Sequence, residues 1–337
     1  MYEHISRGAP ASSKGTRLGA RRLRRVVPAL LLAALAAAGV ARLADSPALS
    51  AAALDELYAR PLPRPAGAMR VYHLGHSLVG RDMPAMLAQL AGEGHRYESQ
   101  LGWGATLKAH WGDDTVPGFA EENSHPRFRA AGEAADSADY DAIVLTEMVE
   151  NRDAIRYHDS PAYLRRWAAR ILGARPDARV FLFETWHPLD DPEGWLNRLD
   201  RDLGRYWEGE LLARAQADGE LPQAIRVIPA GQVMARFVRA VEARGGFDGI
   251  AGSSDLFTDT IHPNDVGTYL VALTHYAVLY QRSPIGLPRQ LRRADGTPAV
   301  PPGPEAARLM QKIVWDIVSA YPKTGVPQLE GEGAADG

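Results

Sequence analysis

The sequence of 337 residues contains no cysteine. That absence excludes a disulfide framework, a thiol nucleophile, Cys-ligated zinc and a lipidated N-terminal cysteine. An oxidising compartment stays open, because a core of this size is stable without covalent staples. Net positive charge is lacking outside the N-terminus. Residues 1–25 hold seven basic residues and one acid, a local charge of +6, whereas the whole chain carries −3, which leaves −9 on the remainder. An acidic body lacks the basic face that phosphate backbones require, which argues against a nucleic-acid partner. There is no internal repeat and no HExxH-like set of closely spaced metal ligands. Gly75 and Gly80 frame a GxxxxG, but Arg81-Asp82 follows instead of Lys and Ser/Thr, so a phosphate-binding loop is rejected. No cofactor and no metal are expected.

Long apolar runs are equally scarce. The one that stands out is residues 26–41, VVPALLLAALAAAGVA, between Arg25 and Arg42 and behind the basic cluster. That order is the pattern of an export signal, either cleaved or retained as an inner-membrane tether. It places the protein in the periplasm or outside the cell. Residues 1–43 are thus read as signal or anchor, and residues 44–68, rich in Ala and Pro, as a linker. Residues 69–322 form the folded domain. Residues 323–337, with few large apolar side chains, read as a disordered tail.

Within the domain, short apolar runs alternate with longer amphipathic ones. Residues 69–74 read as a strand ending at Gly75 and the more polar 95–101 as a weaker second strand, while residues 141–146, 179–185 and 225–230 have the length and composition of buried parallel strands. Residues 83–93 and 160–174 read as helices, the second with Ser160 as cap and Pro161 in its first turn. The alternation predicts an α/β fold, a three-layer α/β/α sandwich around a mainly parallel sheet. Chemistry then gathers at the carboxyl ends of the strands, in loops 75–82, 102–112, 146–158, 185–195 and 251–265.

The first of these loops is Gly75-His76-Ser77-Leu78. A strand-to-helix turn exposes a serine and supplies unpaired N–H groups beside it, although a serine there can equally be a helix cap. The last loop contains Asp259 and His262, three residues apart. A carboxylate at that spacing on a turn reaches the imidazole and sets its tautomer, and the imidazole can accept a serine proton. A helix cap with a surface histidine, or a metal pair including His187, are the alternatives for these two residues.

Together, GHSL and DTIHPN resemble the signature blocks of the SGNH (GDSL-like) hydrolase superfamily. They occur in that family's order, and the resemblance spans about residues 69–285. It implies a flavodoxin-like sheet and a catalytic triad of Ser77, His262 and Asp259. It also implies an oxyanion hole from the N–H groups of Ser77 and Gly104, the latter within Trp103-Gly104-Ala105-Thr106, with Gly102 as local rival. The family's third block, which supplies an asparagine amide, is not matched. Glu147 follows the third strand, and Asn151 is the carry-over if the loop folds back. A divergent branch is implied.

Trp103, Trp111, Trp186 and Trp195 fall in or beside the active-edge loops, where aromatic faces suit sugar rings as well as acyl groups or pack under the long loops; four on one edge favour a carbohydrate substrate. His73 reads as a satisfied core group, and His110 and His187 as loop histidines without assigned roles. The expected activity is hydrolysis of O-acetyl or other short acyl esters on a small molecule or glycan outside the cytoplasm. An O-acyltransferase sharing the acyl-enzyme and a non-catalytic glycan-binding module are the rival expectations.

Overall fold

Apolar side chains on strands Arg70–His76, Ala142–Leu145, Arg179–Glu184 and Arg226–Pro229 point in turn to two faces, and this builds the three layers. The computed structural model describes residues 48–112 and 114–328. Its strands are β1 (Arg70–His76), β2 (Arg96–Gly102), β3 (Ala142–Leu145), β4 (Arg179–Glu184) and β5 (Arg226–Pro229). They pair in the order β2-β1-β3-β4-β5, every pairing parallel. All five expected strands are present, displaced by no more than two residues at either end.

Val71, Val144, Phe181, Phe183 and Ile228 face helices Asp82–Ala91, Ala230–Glu242, Asp265–Tyr280 and Pro304–Ala320. Tyr72, Leu74, Ile143, Leu182 and Val227 face the opposite layer, which includes helices Ala51–Tyr58, Leu107–Trp111, Ala131–Asp136 and Ser160–Ala174. Phe181 and Phe183 are fully buried, and each contributes about 2–3 kcal/mol of hydrophobic stabilisation. The strand order is the flavodoxin-like one, which reverses direction between β1 and β3 and opens a crevice at their carboxyl ends.

Three expectations about the edges are corrected. The supposed linker contains helix Ala51–Tyr58, capped by the Ser50 hydroxyl. Its Leu54 and Tyr58, one helical turn apart, are buried, and the Tyr58 hydroxyl donates to the Ile225 carbonyl at 2.5 Å. Alanine-rich composition favours helix, and two apolar anchors at this spacing suffice to dock it. The supposed tail is likewise anchored at its start: Thr324 and Val326 are buried, and Leu62 N–H donates to the Gly325 carbonyl at 2.8 Å. Ser160 is the first residue of its helix instead of the cap, and its hydroxyl donates to Glu147. The expected signal, residues 26–41, and residues 329–337 lie outside the described residues. Among the described residues no helix is long and apolar enough to cross a membrane.

Candidate active site

Ser77 leaves the sheet in the turn between β1 and helix Asp82–Ala91. Two buried imidazoles shape that turn. His76 donates from Nε2 to the Glu147 carbonyl at 2.8 Å and accepts Leu78 N–H on Nδ1 at 3.3 Å. His110 donates from Nε2 to the Gly75 carbonyl at 2.8 Å, and its Nδ1 accepts from the Gln100 amide at 2.9 Å. Burial pushes both rings down to about 4, so each is a neutral, fixed hydrogen-bonding unit near pH 7. Gly75 allows the close packing here, since a Cβ would lie 2.6 Å from Thr146 Cβ.

The partner loop is built by local turn chemistry. Thr258 N–H donates to the His262 carbonyl at 2.8 Å, closing the loop. Asn264 caps helix Asp265–Tyr280, its Oδ1 accepting from Val266 and Gly267 N–H. Gly267 has no room for a side chain, because a Cβ would overlap the Leu256 carbonyl. The loop after β4 braces this turn from outside: Trp186 Nε1–H donates to the Ile261 carbonyl at 2.8 Å and Leu189 N–H to the Thr260 carbonyl at 2.7 Å.

The two loops meet in a continuous chain of hydrogen bonds. His262 Nε2 lies 2.9 Å from Ser77 Oγ, and His262 Nδ1 lies 2.7 Å from Asp259 Oδ2. Asp259 Oδ1 accepts from the N–H groups of Ile261 and His262 at 2.8 and 2.7 Å. The His262 N–H, then the imidazole and the Ile261 N–H, hold the Asp259 carboxyl down at about 2. With Asp259 ionised, the proton on Nδ1 faces the carboxylate and Nε2 is free to accept from the serine. The His262 and Asp259 side chains are 41% and 53% exposed. Solvent therefore screens the pair, whose contribution is orientation more than folding energy.

Ser77 and His262 open onto a cleft of about 530 Å³ that Trp103, Gly104, Val149 and Ile261 also line. Gly104 sits at φ +56° with open space where a Cβ would be. Its rival Gly102 is packed against Val116 and Ala105 at the end of β2. No group among the described residues accepts from the Ser77 or Gly104 N–H. A larger cavity of about 890 Å³ between helices Ala230–Glu242 and Pro304–Ala320 contains none of these residues.

Other expected members are placed elsewhere. Asn151 is fully buried in the first turn of helix Asn151–Tyr157, its amide lacks a partner among the described residues, and Val149 lines the cleft in its stead. Five residues, 146–150, separate β3 from this helix, and Asn151 is taken up in its first turn. Glu147 is a buried tie: Oε1 accepts from Leu107 and Met148 N–H, and Oε2 from the Ser160 hydroxyl. Burial pushes it up to about 7 despite those three donors. Of the four tryptophans, Trp186 and Trp195 are buried, and Trp111 packs edge-on against Trp167 at 4.9 Å. Trp103 alone of the four is substantially exposed, at 52%. His73 is buried 6.0 Å from His275 with no hydrogen-bond partner among the described residues, not a satisfied core group.

One residue escaped sequence reasoning. Arg198 is buried and binds Glu150 through both guanidinium NH groups, and also Asp191 and Asp202. It ties the loops after β3 and β4 to helix Trp195–Asp202. Burial would raise the Glu150 carboxyl, but Arg198 and Arg152 hold it at about 2. His187 lies 3.3 Å from Asp202 in the same network. Among the described residues no group of three or more His, Cys, Asp or Glu side chains is arranged to hold a metal ion.

No family model and no curated protein matches the chain. Among solved structures it is similar to a DUF4886 family protein from Bacteroides uniformis, with TM-score 0.49 and 16% identity over 76% of this chain and 96% of that one. It is also similar to a protein from Parabacteroides merdae described as a GDSL-like lipase, with TM-score 0.41 and 13% identity over 65% of this chain and 99% of that one. Neither likeness bears on activity.

Proposed function

We propose that this protein is an exported serine esterase of the SGNH kind that removes O-acetyl or other short acyl groups from a carbohydrate. The observation that carries this reading is the chain of hydrogen bonds from Ser77 Oγ through His262 to Asp259. Ser77 Oγ attacks the acyl carbon while its proton passes to His262 Nε2. The charge on the tetrahedral oxygen develops against the unpartnered N–H groups of Ser77 and Gly104. His262 then returns the proton to the leaving alcohol, and water releases the acyl group by the same path. Each oxyanion donor is worth about 10²–10³ in turnover.

The carbohydrate assignment rests on Trp103, the export assignment on the basic cluster and apolar run of residues 1–41. An intact relay argues against a module that has lost catalysis. Labelling with a fluorophosphonate followed by peptide mass spectrometry tests the proposal. The adduct is expected on the Ser77 peptide and absent from Ser77→Ala. An unlabelled wild-type protein beside a labelled control hydrolase refutes it.

A further inference from the structure

Trp103 is half exposed in the cleft that holds Ser77 and His262, and its indole is fixed from behind by specific contacts. Its backbone N–H donates to the Pro117 carbonyl at 2.8 Å, and its indole Nε1–H donates to Glu122 Oε1 at 2.9 Å. One side of the ring lies on Gly118, at φ +64°, where any Cβ would run into the indole. The rest of the ring is open and lines the cleft with Ser77 and His262.

The support beneath it is tied to β2 and to the turn after β1. Helix Phe119–Asn123 carries Glu122, and Asn123 exchanges hydrogen bonds with both backbone groups of Leu101 at 2.9 and 2.8 Å. Arg81, just beyond the nucleophile turn, donates to the Glu121 carbonyl at 2.6 Å. The distance from platform to nucleophile is thereby held through two separate ties.

We propose that Trp103 is the specificity-determining platform on which the sugar ring bearing the ester stacks, with Glu122 receiving that ring's hydroxyls. This rests on the esterase reading of the same site. Glu122 Oε2 has no donor among the described residues although Oε1 is engaged by the indole. A free carboxylate oxygen beside an aromatic face suits a ligand that is apolar on one face and rich in hydroxyl donors at its edge. The carboxylate repels an anionic ligand.

The test compares kcat/KM on an acetylated xylo-oligosaccharide with that on ethyl acetate, which has no ring. The ratio is expected to fall about tenfold in Trp103→Ala, mainly through KM, as one ring face of contact is lost. Trp103→Phe is expected to recover most of it. A ratio changed less than about twofold in Trp103→Ala overturns the platform while leaving the esterase reading intact. If wild type hydrolyses neither ester, the esterase reading fails and binding decides the platform by itself. In ¹⁵N-labelled Ser77→Ala protein, the indole N–H resonance that disappears in the Trp103→Phe background should move when the oligosaccharide is added. A resonance unmoved at millimolar sugar refutes the platform.

Discussion

Replacing Asp259 with asparagine should all but abolish turnover while leaving the fold in place, and the geometry dictates why. Asp259 Oδ1 accepts two backbone N–H groups, at 2.8 and 2.7 Å, and Oδ2 faces His262 Nδ1 at 2.7 Å. An asparagine keeps the backbone bonds only with its carbonyl in the Oδ1 position. Turning it over loses both, about 1 kcal/mol each, and sets donor against donor. The amide NH₂ must therefore point at Nδ1, which then has to accept. The imidazole proton moves to Nε2, where it faces Ser77 Oγ and blocks transfer of the serine proton. A wrong tautomer of this kind costs about 10⁴ in kcat in the serine-protease precedent. The assay is turnover of an aryl acetate, with the thermal midpoint as control. Because both side chains are about half exposed, the midpoint should barely move. A kcat within about tenfold of wild type would refute the tautomer argument.

Glu147 makes stability pH-dependent. Its folded-state pKa of about 7 lies above the ordinary 4.5, so the folded protein holds an extra proton between those values. Stability should fall as pH rises through that window, by roughly 3 kcal/mol in all. Glu147→Gln should remove this fall, so that its stability relative to wild type improves between pH 4 and pH 8; parallel urea midpoints for the two proteins would contradict it. Arg198→Met should leave Glu150, Asp191 and Asp202 facing one another without their shared cation. The expected loss is about 3–5 kcal/mol, a drop in thermal midpoint of at least about 6 °C. A midpoint shift under about 2 °C by calorimetry would show that the network is not a structural tie.

Much of this molecule was legible because the informative contacts are local or periodic. Strand composition located β3, β4 and β5 directly, since burial on both faces demands continuous apolar runs, whereas the edge strand β2, RYESQLG, was a weaker signal. Asp259 and His262 are three residues apart, close enough for a turn to join them before any tertiary structure is considered. Glycine at 104 was readable from turn chemistry. The anchoring of Ala51–Tyr58 was less so, because Tyr58 finds its acceptor 167 residues away.

By itself, then, the sequence determined the layers, the sheet edge at which the Ser77 loop lies, and the pairing of Asp259 with His262. Tertiary structure decided that Ser77 meets that pair instead of capping a helix, for the two are 185 residues apart. It decided that Asn151 is buried away from the cleft, and that Trp103 stays open while Trp186 and Trp195 are covered. It also assembled Arg198 with a carboxylate 48 residues distant. These outcomes depend on how segments distant in the chain pack together. Chain spacing sets the face a residue occupies, whereas only packing of distant segments sets what fills the space in front of it.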